Sequence, residues 1–235
     1  MYRWIAAVAT ATLLTACATH SKTVVSNPPV VIKRIAIIPA TNPVWYSFEN
    51  AAPPIGYPFQ YWVNKVDSKS KAKIFNDKLH SGQNTLGDDL TKEVASELRG
   101  YGYTVEILQG VVRPANDPDN VDYDKITTDA DAIVHVWISE AGMYSSHLST
   151  RYIPRVDAGG KLWIRGQEDS LYNQDIYYGV DARAGKQWAI VPDPKYSYPN
   201  FDSLMASASE VETALASGTS QIGKKISEQI YAAIK

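Results

Sequence analysis

The sequence predicts an α/β protein: a mixed β-sheet with a βαβ start, an antiparallel hairpin and C-terminal helices packed on the sheet. Three observations predict it. Two nearly unbroken apolar, β-branched runs, 30–38 (VVIKRIAII) and 131–138 (DAIVHVWI), have the character of strands covered on both faces. Between them, Leu86, Leu90, Val94 and Leu98 recur at helical spacing and are followed by the alternating run 103–108 (YTVEIL), so strand, helix and strand follow in order. Finally, Phe201, Leu204, Met205, Ala208, Val211 and Leu215, then Ile222, Ile226, Ile230 and Ile234, trace apolar stripes for two helices, or for one kinked at Gly218.

The chain begins with one positive charge, Arg3, then a largely apolar run from Trp4 to Leu14, and then Ala16 before Cys17, the only cysteine of the sequence. This is the layout of a secretory signal peptide. The run is too short to span a bilayer, which takes about twenty apolar residues. Leu14-Thr15-Ala16-Cys17 resembles the bacterial lipobox, which implies cleavage before Cys17 and a diacylglyceryl group on its thiol. The residue types suit that chemistry, since a thiol is the side chain nucleophilic enough for selective alkylation and small neighbours admit the chain to a protease. Residues 1–16 are thus expected to be a signal peptide, and 17–29 a lipidated cysteine with a polar, proline-ended tether reaching about 40 Å when extended. Ala18 rather than Asp after the cysteine resembles the outer-membrane sorting choice of enterobacterial lipoproteins, which implies an outer-membrane anchor with the domain facing the periplasm.

Without residues 1–16 the net charge is −3, with no clustered basic stripe, which disfavours nucleic acid. With one cysteine there is no disulfide, so packing must hold the expected single domain, 30–235.

Taken in order, the first strand is stopped by Pro39. The stretch 41–66 interleaves Pro43, Pro53, Pro54 and Pro58 with Trp45, Tyr57, Phe59 and Trp62, and reads as an aromatic insertion without a long helix. Lys65, Lys69, Lys71, Lys73 and Lys78, diluted by Asp67 and Asp77, read as a solvated face. Thr85-Leu86-Gly87-Asp88 has the form of a capping box opening the helix over 85–99, with Gly100 suited to its C-terminal cap. Residues 122–128 suggest a single helical turn. The run 148–164 reads as a strand bulged at Gly159-Gly160, and 171–180 as its antiparallel partner. A second aromatic, proline-rich connection, 185–202, holds Trp188 and Tyr198 and could adjoin the first.

Motifs for chemistry are few. Asp117, Asp119, Asp122 and Asp124 imitate a calcium loop, but Val121 sits where its fifth position needs an acid. Residues 218–225 (GTSQIGKK) nearly spell a phosphate loop, yet Lys225 replaces the hydroxyl and no strand precedes them. No metal, nucleotide or other cofactor is therefore expected. A hydrolase would have to draw on Asp88, Asp89, His135 and His147, with no G-x-S-x-G elbow present.

The segments VVIKRIAIIPA, TLGDDLTKEVASELRGYGYTVEIL and DADAIVHVWISEAG, followed by a hairpin and a C-terminal helix, resemble the periplasmic domain of bacterial lipoproteins of the CsgG and LpoB types. The resemblance implies an α/β sandwich that works through its surfaces. It carries over no catalytic residue. The expected role is a lipid-anchored, non-catalytic binding or assembly module with a protein partner in the envelope. Trp45, Tyr57, Phe59, Trp62, Trp188 and Tyr198 are its candidate contact surface. An envelope hydrolase and a subunit of an export channel are the alternatives.

Overall fold

The computed structural model describes residues 31–50, 58–113, 121–145, 151–167, 169–180 and 182–235. Seven strands, β1 (Arg34–Ile38), β2 (Ser47–Asn50), β3 (Thr104–Ile107), β4 (Ala132–Ser145), β5 (Tyr152–Trp163), β6 (Tyr172–Gly179) and β7 (Ala189–Ile190), form one mixed sheet. Their order is β3-β1-β4-β5-β6-β7, with β2 also pairing β4. Four helices, α1 (Pro58–Lys78), α2 (Leu86–Gly100), α3 (Phe201–Ala206) and α4 (Ala208–Ile234), accompany it. None of the described helices is long and apolar enough to cross a membrane.

The βαβ start is realised: β1 runs parallel to both β3 and β4, and α2 makes the crossover. Ile35, Ala36, Ile37 and Ile38 are all fully buried, as a strand covered on both faces requires. On one face the large core joins Ile35, Ile37, Val134, Leu162 and Ile176 of the sheet to Leu90, Val94 and Leu98 of α2 and to Leu215, Ile222 and Ile226 of α4. Each such side chain contributes about 1.5–3 kcal/mol by leaving water. A smaller cluster, Ala36, Ile38, Ile133 and Trp163 under Val121, lies on the other face. β4, β5 and β6 then pair antiparallel, as expected of the hairpin.

Several local expectations are corrected. The proline-rich stretch does contain the start of a long helix, because Pro58 is its first residue. There the missing N–H is an orphan anyway and the fixed φ is already helical. Asn76 of that helix then holds the chain before β2, accepting from Tyr46 N–H (2.7 Å) and donating to Tyr46 O (3.0 Å). The capping box does not close on itself either. Thr85 Oγ1 bonds the Asp89 carboxylate (2.8 Å), and the first helical N–H groups are taken from afar: Asn42 Oδ1 accepts from Gly87 and Asp88. Gly100 is the last helical residue, and it is Gly102 (φ +96°) that turns the chain out of α2.

Gly159-Gly160 is not a bulge. Both glycines stay in register with Trp137 and Val136, and the irregularity lies in the partner strand, where Ile138 faces Ala158, Glu140 faces Asp157 and Ser139 is the extra residue. The glycines serve close packing instead. A Cβ on Gly160 would lie 2.7 Å from a methyl of Ile226, and one on Gly159 2.3 Å from the Trp137 ring. Gly218 does not kink the last helix, which breaks at Ser207. It lets α4 lie on Tyr178, whose ring a Cβ there would meet at 2.5 Å. Residues 218–225 are accordingly helix interior.

Candidate functional site

The expected contact aromatics separate into different environments. Trp45, in the loop before β2, is 52% exposed beside the still more exposed Val44. Trp188 is half-buried, packed against the core edge and meeting Tyr177 edge to face at 5.4 Å. Tyr198 is only 4% exposed and is withdrawn from the candidate surface. Its backbone exchanges hydrogen bonds with Tyr152 (2.7 and 2.9 Å), which draws the ring into the core. Cys17, Tyr57 and His147 lie outside the described residues, and Phe59 and Trp62 stand on α1 with side chains outside them too.

The hydrolase candidates do not converge. Asp88 takes a hydrogen bond from Asn42 (3.1 Å) and Asp89 one from Thr85, both at the start of α2. His135 lies on the opposite face of the sheet, fully buried, with Nδ1 3.1 Å from the Tyr123 hydroxyl and the Trp137 ring beside it. Burial, with Arg113 and Lys161 adding their charge, pushes its pKa down to about 4. The imidazole is therefore neutral at ordinary pH, and it pins Tyr123, over which the Lys161 ammonium sits at 4.7 Å. Of the acidic run, Asp122 pairs with Lys125 (2.9 Å) and caps the short turn Tyr123–Lys125, so the expected helical turn is present and its acid is used structurally. No cluster of metal-ligating side chains occurs among the described residues.

Sequence reasoning missed a charged cluster on the face opposite the helices. Arg155 on β5, largely buried, lies 3.0 Å from Glu140, 3.3 Å from Asp157 and 3.7 Å from Glu49, with its guanidinium near the Tyr144 ring. Asp157 is only 7% exposed. A carboxylate so far out of water is tolerated because a guanidinium accompanies it. The signal was present, since Arg155 and Asp157 are two residues apart on a strand and so share a face. Nothing local, however, brings Glu49 and Glu140 to them.

Two hollows accompany these residues. One of about 890 Å³ opens between residues 108–113 and 122–127, with Leu108, Val111 and Ile126 among its walls. The other, about 490 Å³, lies where β6 meets β7 and is lined by Arg155, Gln174, Tyr177, Arg183 and Trp188.

No family model and no curated protein matches the chain. Among solved structures, it is similar to a hypothetical protein from Chlamydia trachomatis at 10% identity and a TM-score of 0.41, over 87% of this chain and 98% of that one. A protein from Xanthomonas campestris matches at 10% identity and 0.43, over 88% and 90%. A lipoprotein from Neisseria meningitidis matches at 14% identity and 0.31, over 65% and 88%. The solved structures it is similar to thus include a bacterial lipoprotein.

Proposed function

We propose that the chain is a lipid-anchored, non-catalytic binding or assembly module of the bacterial cell envelope, akin in working mode to the CsgG and LpoB types. It is moored to the outer membrane through Cys17, with its α/β domain facing the periplasm. The observation that carries the reading is Leu14-Thr15-Ala16-Cys17 directly after a short apolar run, with no other cysteine in the sequence. Each buried methylene of an acyl chain contributes about 0.8 kcal/mol, so two chains or more hold a protein firmly where one does not. The separation of Asp88 and Asp89 from His135 across the sheet weighs against the hydrolase alternative. Trp45 and Val44 form the exposed apolar tip by which the module meets a protein partner.

Mass spectrometry of the processed N-terminus tests the reading. The expected result is a chain beginning at an acylated residue 17, and a Cys17→Ser variant that folds normally and leaves the membrane fraction. An unmodified thiol, or a start elsewhere, overturns it. A photocrosslinker in place of Trp45 should then capture one envelope protein reproducibly.

A further inference from the structure

The hollow at the β6–β7 edge belongs to neither the anchor nor the Trp45 tip, and its chemistry is specific. We infer that it binds a neutral saccharide. Its volume, about 490 Å³, falls within the usual range of small-ligand clefts. Its aromatic wall is the pair Tyr177 and Trp188, with centroids 5.4 Å apart and planes at 79°. In an edge-to-face pair, the ring that offers its edge has both faces turned away from its partner, and an aromatic face is what the C–H side of a sugar ring packs on.

The wall is built in rather than incidental. Tyr177 N–H donates to Trp188 O (2.8 Å), pairing the strands, and Gln229 of α4 holds the preceding residue by donating to Gln187 O (3.1 Å). At the rim, Lys186 N–H donates to Arg183 O (3.2 Å) across a turn whose third residue, Gly185, has φ +78°, the conformation a glycine adopts freely. That turn presents Arg183. Arg183 is a planar group whose N–H donors match adjacent sugar hydroxyls, and Gln174, whose amide nitrogen donates to Asp175 O (2.9 Å), keeps its amide oxygen to accept from them.

Charge selects the class of ligand. An anion would be drawn by Arg183 but repelled by Glu49, Glu140 and Asp157, which more than offset Arg155. A cation would find an aromatic face but meet the Arg183 guanidinium at the rim, the carboxylates around Arg155 having already offset that charge. A neutral polyol meets both donors and acceptors and is opposed by neither.

Isothermal titration of the full-length, detergent-solubilised chain tests this, with chitobiose, maltose and lactose as neutral probes, glucuronate as anion and choline as cation. At least one neutral disaccharide should bind saturably in the millimolar range or tighter, with both charged probes weaker by about tenfold or more. Arg183→Gln, at an exposed position, should weaken that disaccharide by about tenfold, the worth of a charge-assisted hydrogen bond. Trp188→Ala should abolish binding. Circular dichroism identical to wild type for Arg183→Gln keeps the comparison valid should Trp188→Ala misfold. Absence of saturable binding by all three disaccharides, tighter binding of glucuronate or choline, or unaltered disaccharide binding in Arg183→Gln overturns the proposal. None of these outcomes touches the lipid anchor, which is read from a different part of the chain.

Discussion

Two adjacent glycines look out on the two faces of the sheet, and what each would strike shows how differently those faces are made. A Cβ on Gly160 would press a methyl of Ile226, one aliphatic chain among many in the layer of α2 and α4. A Cβ on Gly159 would strike the Trp137 ring and, at 2.4 Å, the carboxylate of Asp175. The helical face is apolar, aliphatic under α2 and α4 with rings such as Tyr178 among them. The opposite face mixes rings with titratable groups: His135 under Tyr123, Lys161 over that ring, and Arg155 among three carboxylates. Dispersion and water exclusion hold the first face, so its stability should be indifferent to pH. Directional contacts hold the second, so its stability should respond to protons.

Truncation should expose the contrast most strongly. Ile226→Ala, at a fully buried site of the helical face, is expected to cost about 4 kcal/mol and to lower the melting temperature by about 10 °C. Ile126→Ala, half-buried on the other face, should cost less than about 1.5 kcal/mol. Equal losses in thermal melts would show that the faces are packed alike. Acid is the next test. The unfolded chain takes up the His135 proton near pH 6.5 and the folded chain only near 4, so the stability is full above the first value and drains away as the pH falls through that interval. The loss is bounded at about 3 kcal/mol and should appear in urea titrations between those values. It should vanish in His135→Leu, and a slope that survives there would assign the pH dependence to other groups.

Arg155→Met should cost about 2 kcal/mol, because it leaves the nearly buried Asp157 without its guanidinium. Arg155→Met combined with Asp157→Asn should recover part of that loss in denaturant midpoints, whereas simple additivity would mean that the charges do not interact. The smallest effect belongs to the helical face. The Tyr178 hydroxyl is buried without a hydrogen-bond partner among the described residues, so Tyr178→Phe should change stability by less than about 0.5 kcal/mol. A large loss would reveal a partner for that hydroxyl.

The helical face was the legible one. Leu86, Leu90, Val94 and Leu98, and later Ile222, Ile226 and Ile230, announce themselves by a period that only a helix against a core explains, and all are buried. The strands 34–38 and 132–138 were equally plain because a run buried on both faces has no polar alternation to blur it. The other face was legible only in fragments. Even on the helical face one residue misled: Tyr198 looked like surface because prolines surround it, and a two-bond bridge to Tyr152 draws it into that core. The lining of the β6–β7 hollow comes from β5, β6 and the loop before β7, and no sequence spacing joins Arg155 to Trp188.

From sequence alone, then, come the two central strands, the crossover helix α2, the antiparallel hairpin, the C-terminal helices, the α/β class and the expectation of an acylated Cys17, though not α1, β2 or β7, because each of the former is written in residues near one another along the chain. Only the tertiary structure decided that Asn42 caps α2, that Gly159, Gly160 and Gly218 are points of close approach, and that Arg155 gathers Glu49, Glu140 and Asp157. Those facts depend on which distant segments the sheet brings within a few ångströms, and a linear pattern carries no record of that distance.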